Sequence, residues 1–297
     1  MRILKVNELS TYKDNILHFY TFDWDDNLLF MPTDIIVLDN NGNEIPVSTA
    51  EFAELRGEIG KGEFQFKGNT IVGYPMTDDG SINYDSAFRN FRDIKDPNIF
   101  LKDTKRAISM GSFGPSWGDF IECLTRGSLF AIITARGHES PSIRNVVEYI
   151  IDTELSDKQK QKMYDNLLKF TYLFNKNYGY DRILRGKLSD NTLVKEFLNK
   201  CEFIGVSAPS RINHENAMSP EKAKVEAILK FKGRINKFVG KIGMKAKIGF
   251  SDDDSKTVKH IEDIFDEVNH EEFPNIVQWV VKNTNDPSDI SKKVIDR

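Results

Sequence analysis

Five short apolar runs, separated by stretches of helical periodicity, limit what this chain can fold into. They cover residues 18–22, 129–133, 202–206, 247–250 and 276–281. Each is rich in β-branched or aromatic residues, and none alternates strictly between apolar and polar. Strands covered on both faces read this way. Two of the intervening stretches carry helix punctuation. "SWGDFIECLTRG" opens on Ser116 as a cap, with Asp119 three residues on, and stops at Gly127. "SPEKAKVEAILKFKG" opens on Ser219 as cap with Pro220 at the first helical position, and Gly233 reads as its stop. Strands alternating with helices predict an α/β core around a mainly parallel five-stranded sheet.

Two segments exceed what such a core needs. Residues 34–111 open with "DIIVLDNNGNEIPVS", a hairpin around an Asn/Gly turn. Ser48 and Glu51 then form a capping box at the start of a helix. Residues 153–200 are mostly helical and charged, with an apolar stripe through Met163, Leu167, Phe170 and Phe174. The division expected is therefore a core of residues 1–33 and 112–297, a cap-like insertion at 34–111, and a helical insertion at about 153–200.

At 297 residues and 39% hydrophobic, the chain can bury a sizeable core. Its net charge of -4 argues against a sequence-blind nucleic-acid binder, which would be basic. The 2 cysteines, Cys123 and Cys201, give neither a disulfide framework nor a zinc pattern. The first residues are polar and charged, unlike a signal peptide, and no apolar run reaches the roughly 18 residues of a membrane span. A cytoplasmic globular protein is expected, with no membrane partner; the oligomeric state stays open.

The first run leads into "DWDDN", which places Asp23, Asp25 and Asp26 within four positions. The fourth ends in "SDDDS", with Asp252, Asp253 and Asp254. In an open parallel sheet, ligands bind beyond the carboxyl ends of the strands. Two acidic clusters there repel unless a cation lies between them, and hard oxygen donors without His or Cys favour Mg²⁺. The second run ends in "IITARG", bringing the Thr134 hydroxyl and Arg136 to the same edge. Lys222 and Lys224 lie in the first turns of the helix opened by Ser219. A hydroxyl, a helix start and a lysine suit a phosphate oxyanion.

In this order, "YTFDWDDNL", "FAIITARG", "SPEKAKVEAIL" and "IGFSDDDSKTV" resemble the four motifs of the haloacid dehalogenase superfamily. The resemblance covers roughly residues 15–33, 115–150 and 200–282. It implies a Rossmann-like three-layer α/β/α core and a Mg²⁺-dependent phosphomonoester hydrolase. Asp23 would be the nucleophile, forming an aspartyl-phosphate, and Asp25 the acid and base. Thr134 and Arg136 would meet the phosphoryl group. Asp252 and Asp253 would hold Mg²⁺ with the Asp23 carboxylate and the Asp25 backbone carbonyl. The third-motif lysine is Lys224 or Lys222. Apolar neighbours at Ala227, Ile228 and Phe231 favour Lys224, and Lys222, nearer the helix start, is then left to the substrate. The sequence departs from the family at Asn27, where Thr or Val is usual.

The implied substrate is a small phosphorylated metabolite or nucleotide. Two rival readings stand beside it: a phosphatase of nucleic-acid ends, which needs a locally basic groove, and a binding protein that kept the fold without turnover.

Overall fold

The structure, a computed structural model, describes residues 16–93, 96–174, 190–211, 219–267, 272–286 and 288–296. Its strands in chain order are β1 (Ile16–Phe22), β2 (Ile35–Asp39), β3 (Glu44–Val47), β4 (Phe64–Phe66), β5 (Asn69–Gly73), β6 (Phe130–Thr134), β7 (Glu202–Gly205), β8 (Lys245–Asp252), β9 (Ile276–Asn283) and β10 (Ser291–Asp296). The helices are α1 (Thr49–Leu55), α2 (Tyr84–Ala87), α3 (Ile99–Ser109), α4 (Trp117–Arg126), α5 (Ser140–Thr153), α6 (Asp157–Phe174), α7 (Asp190–Leu198), α8 (Pro220–Lys241) and α9 (Ser255–Glu267).

All five expected runs are strands, and they lie in one sheet of order β10-β9-β8-β1-β6-β7. The sheet has six strands rather than five. Its additional member, β10, pairs antiparallel with β9, while every other pair is parallel. β10 escapes a search for apolar runs because it is an edge strand, with only Val294 and Ile295 among its apolar residues. Such edges are commonly charged, which blunts pairing with other chains.

The order of the sheet decides where a ligand can bind. From β1 the chain builds outward through β6 and β7, then returns past β1 to β8 and β9. The strand order therefore reverses between β1 and β8, the switch point at which open α/β sheets leave a crevice. Seven residues of β1 pair with β8, from Ile16 with Lys245 to Phe22 with Ser251. Asp23 and Asp252 follow immediately on adjacent strands.

Side chains alternate between two apolar clusters on the two faces. Phe22, Phe130, Ile132 and Phe203 join one, with α3 to α7. Phe19, Ala131, Ile133, Ile204, Ile248 and Phe250 join the other, with α8 and α9. The expectation of full cover holds for β6, whose five residues are all buried. It fails for β8 and β9, where Lys247, Gly249, Val280 and Lys282 line an open groove of about 200 Å³ on the face away from α8 and α9.

Within residues 34–111 the hairpin and the capping box both form. β2 pairs antiparallel with β3, and the Ser48 hydroxyl accepts the Glu51 N–H while the Glu51 carboxylate accepts the Ser48 N–H. These strands belong to a second sheet of order β3-β2-β5-β4 with its own small apolar cluster. α3, which also falls in 34–111, instead sends Phe100 and Ala107 into the first cluster of the main sheet. In the second insertion Met163 and Leu167 are buried as the stripe requires. The Phe174 side chain and residues 175–189 lie outside the described residues.

Helix punctuation holds in part. Gly127 ends α4 in a left-handed conformation with φ 64. Ser116 precedes α4, but its side chain makes no capping bond. Its backbone N–H goes instead to the Asn27 carbonyl at 2.9 Å, which ties α4 to the loop after β1. Ser219 does cap α8, accepting the Lys222 N–H. Gly233 does not end it; α8 continues to Lys241 because Ile235 and Val239 extend its buried stripe. Burial of that second half outweighs the propensity cost of one glycine. A Cβ at Gly233 would meet only Phe273, at 3.9 Å. Gly233→Ala should therefore stabilise the protein by about 0.5–1 kcal/mol, read from the midpoint of urea unfolding at unchanged slope.

Candidate functional site

The end of β1 is built to hold a tight loop. Asp23 donates its backbone N–H to the Ser251 carbonyl at 3.0 Å, the last link between β1 and β8. The chain then turns back, with the N–H groups of Leu28 and Leu29 on the Trp24 carbonyl. Asp26 takes φ 55, a left-handed conformation that Asp tolerates better than most residues. Trp24, Leu28 and Leu29 are fully buried and anchor the turn from below. Gly114 lets a second backbone come close: a Cβ there would lie 2.5 Å from the Asn27 carbonyl oxygen.

Asn27, the departure from the expected motif, is the staple of this loop. Its Nδ2 donates to the Asp23 carbonyl at 3.0 Å and to the carbonyl and hydroxyl of Ser251 at 3.2 and 3.0 Å. Its Oδ1 accepts the Thr284 hydroxyl at 3.0 Å. The side chain is fully buried with both ends of its amide satisfied. It binds the ends of β1, β8 and β9 into one unit. Val in its place has no polar atom and Thr a single hydroxyl, so neither can make all four bonds.

The carboxylates of Asp23, Asp252 and Asp253 offer oxygen atoms within 4.8 Å of one another. Lys224 enters from the first turns of α8. Its Nζ lies 2.8 Å from Asp23 Oδ1 and 3.0 Å from Asp252 Oδ2. Of the two lysines left open by the sequence, the structure brings Lys224 to the acids. Lys222 is exposed on the same helix, with its backbone N–H accepted by the Ser219 hydroxyl. A helix places successive even positions on different faces, so residues 222 and 224 cannot both look inward.

One lysine faces three acids, and the electrostatics reflect it. Burial pushes the Asp23 carboxyl well up; Lys224 opposes this, and Asp252, Asp253 and Asp25 add to it. Burial followed by Asp252 pushes Asp253 up to about 7. Burial also raises Asp252, against the pull of Lys224. For Lys224 burial acts downward, but Asp23 and Asp252 more than offset it and hold the ammonium charged. Such a set is short of positive charge. Its all-oxygen donors and mutual repulsion fit a hard divalent cation of the Mg²⁺ type.

The remaining acids do other work. Asp254 starts α9, accepting the Lys256 N–H at 3.1 Å and the Thr257 hydroxyl at 2.9 Å. Asp26 contacts the Thr49 hydroxyl at the start of α1, at 3.5 Å. Burial and the Asp25 charge push its carboxyl up to about 6. The Asp25 backbone carbonyl, expected as a metal ligand, accepts the Asn27 N–H at 2.6 Å. Thr134 is fully buried at the end of β6, beside β1, and its hydroxyl accepts the Arg136 N–H at 3.3 Å.

Arg136 departs most from expectation. Instead of facing a phosphate, it is 1% exposed and forks onto Asp25, Nε to Oδ2 at 2.8 Å and Nη2 to Oδ1 at 2.6 Å. Next to it, His138 is fully buried and stacks on Phe100 with ring centroids 4.7 Å apart. Arg136 Nη2 also donates to the Thr33 hydroxyl at 2.9 Å; neither Thr33 nor Phe100 was legible as part of the site, since both come from the stretch between β1 and β6 and carry no motif.

No protein-family model matches the chain, and no curated protein or solved structure matches it either. No helix among the described residues is long and apolar enough to cross a membrane.

Two measurements follow from the site. If a divalent cation binds the three carboxylates, Mg²⁺ should raise the melting temperature over that in EDTA. At one hundred times the dissociation constant the gain is about 2.7 kcal/mol. Asp253→Asn should abolish most of the shift, and identical melting of the wild type in both buffers would remove the cation site. The second concerns His138, whose pKa burial and then Arg136 lower from 6.5 to about 2. The unfolded chain thus takes up a proton here that the folded chain refuses. The His138 contribution to stability is complete above pH 6.5 and is lost as the pH falls toward 2. Replacing it by His138→Phe, which keeps the ring on Phe100, should spare the protein about 2 kcal/mol of the stability lost between pH 7.5 and 5. Parallel pH profiles of the two proteins in urea would refute this.

Proposed function

We propose that this chain is a Mg²⁺-dependent phosphomonoester hydrolase of the haloacid dehalogenase type, acting through an aspartyl-phosphate on Asp23. The observation that carries the reading is the meeting of Asp23, Asp252 and Asp253 with Lys224 beyond the carboxyl ends of β1 and β8. Four motifs distant in sequence resemble that family, and three of them supply these side chains. The fourth supplies Thr134 from the neighbouring strand β6.

In this mechanism an Asp23 carboxylate oxygen attacks phosphorus, and the bond to the leaving oxygen breaks. Lys224 holds the Asp23 carboxylate and offsets part of its charge against an anionic substrate. Thr134, at the end of β6 beside β1, is the hydroxyl assigned to the phosphoryl oxygens. Asp25 protonates a leaving group that needs it, then takes a proton from the water that attacks phospho-Asp23. Asp23, Asp252 and Asp253 are the residues that would hold Mg²⁺, which when bound would supply the charge that lets an anionic nucleophile approach an anionic phosphate.

The substrate class that fits is a small phosphorylated metabolite or nucleotide. Within residues 34–111 the second sheet and α1 act as the cap, and the start of α1 touches Asp26 through Thr49, while α3 packs into the core. A cytoplasmic setting fits the two cysteines, both buried and unpaired. The rival reading of a binding protein without turnover draws support from one contact: Arg136 occupies both oxygens of Asp25.

The two acids of the first loop separate these readings. Asp23→Asn removes the attacking anion and should abolish both phases of p-nitrophenyl phosphate hydrolysis. Asp25→Asn should release about one nitrophenol per site quickly, because that leaving group departs without a proton. Steady turnover should then be about 10²–10⁴-fold slower than wild type. Rapid-quench kinetics with intact mass spectrometry detect both phases and the phosphorylated protein. Turnover by Asp23→Asn, with reversion to Asp excluded by mass, rejects the nucleophile. An inert wild type supports the binding reading.

A further inference from the structure

We infer that Arg136 is the positioning residue of Asp25, held in that role by residues of the chain between β1 and α4; the inference rests on the hydrolase reading above. The fork onto both Asp25 oxygens fixes the plane of the carboxylate as well as its distance. Arg136 Nη2 also donates to the Thr33 hydroxyl at 2.9 Å, and Thr33 donates in turn to Asp103 Oδ2 at 2.7 Å. The rings of Phe91 and Phe100 lie 4.5 and 5.0 Å from the guanidinium carbon. Backbone contacts tie the same pieces together: Gly137 donates its N–H to the Phe91 carbonyl at 2.9 Å. Thr33, Phe91, Phe100 and Asp103 all belong to the chain between β1 and α4.

Two features argue for positioning rather than mere stabilisation. A buried ion pair adds little net stability, because desolvation offsets most of its attraction. And the pair is sealed on one side only: the Arg136 side chain is 1% exposed, whereas that of Asp25 keeps 17% of its surface. The arginine is committed to the protein, while the carboxylate it aims remains open to the site. The segment between β1 and α4 thereby sets where Asp25 sits. Arg136 itself has no exposed donor for a phosphate.

Kinetics of p-nitrophenyl phosphate hydrolysis with Mg²⁺ test this in wild type, Arg136→Met, Arg136→Lys, Asp25→Asn and the double variant Asp25→Asn/Arg136→Met. Nitrophenolate leaves without a proton, so only hydrolysis of phospho-Asp23 depends on a well-placed Asp25. Arg136→Met should lower kcat about 10²-fold, the scale of a misplaced catalytic group, and leave kcat/KM near wild type. Arg136→Lys, which keeps the charge and loses the fork, should fall between the two. The double variant should be no slower than Asp25→Asn alone. Equal falls in kcat and kcat/KM, or losses that multiply in the double variant, overturn the inference and leave the hydrolase reading intact. A wild type without Mg²⁺-dependent turnover overturns both. Should Arg136→Met fail to fold, Arg136→Lys and the double variant, which leaves no buried charge unpaired, carry the same comparison.

Discussion

Three carboxylates and one ammonium, drawn together at the junction of two parallel strands, organise the rest of this protein. Asp23, Asp252 and Asp253 cannot share that space in water-poor surroundings without opposing charge. Lys224 supplies one positive charge, and the shortfall is what makes the place suited to a cation. Everything around it resists the tendency of the acids to separate. The β1–β8 pairing runs to the last residue before the acids. Asn27 then ties three strand ends with four hydrogen bonds. The buried Trp24, Leu28 and Leu29 keep the loop from lifting away.

The second acid of the loop is managed differently. Asp25 is two residues from Asp23 yet turns to another partner, a guanidinium buried between two phenyl rings. The result is a division of labour within four positions. One carboxylate is held by a lysine from α8, the next by an arginine from the β6 loop, and the third, Asp26, by the start of α1. Each holder arrives from a different part of the chain, so the loop reports on core and insertion together. Its position at the sheet's switch point is what lets all three reach it.

Much of the architecture was legible in the sequence because it depends on local pattern. The five apolar runs became strands, the Asn/Gly turn became a hairpin, and Ser48 with Glu51 became a capping box. Failures occurred where distant packing overrode a local signal. Gly233 reads as a stop, but the buried Ile235 and Val239 carry α8 two turns further. Ser116 reads as a side-chain cap, but its backbone is claimed by Asn27. β10 has too few apolar residues to announce itself and exists because β9 offers it an edge.

For the site, residue type and the ends of parallel strands already mark the chemically able groups: acids after the first and fourth runs, a hydroxyl after the second, a lysine at a helix start. Which of them meet depends on packing between distant segments. Lys224 rather than Lys222 reaches Asp23 because helical geometry turns one inward and the other to solvent. Arg136, beside Thr134 in sequence, faces Asp25 rather than a ligand because Thr33, Phe91 and Phe100 close over it. Those residues carry no motif of their own. Their contribution depends on contacts spanning tens of residues, and no spacing rule within one segment can express that.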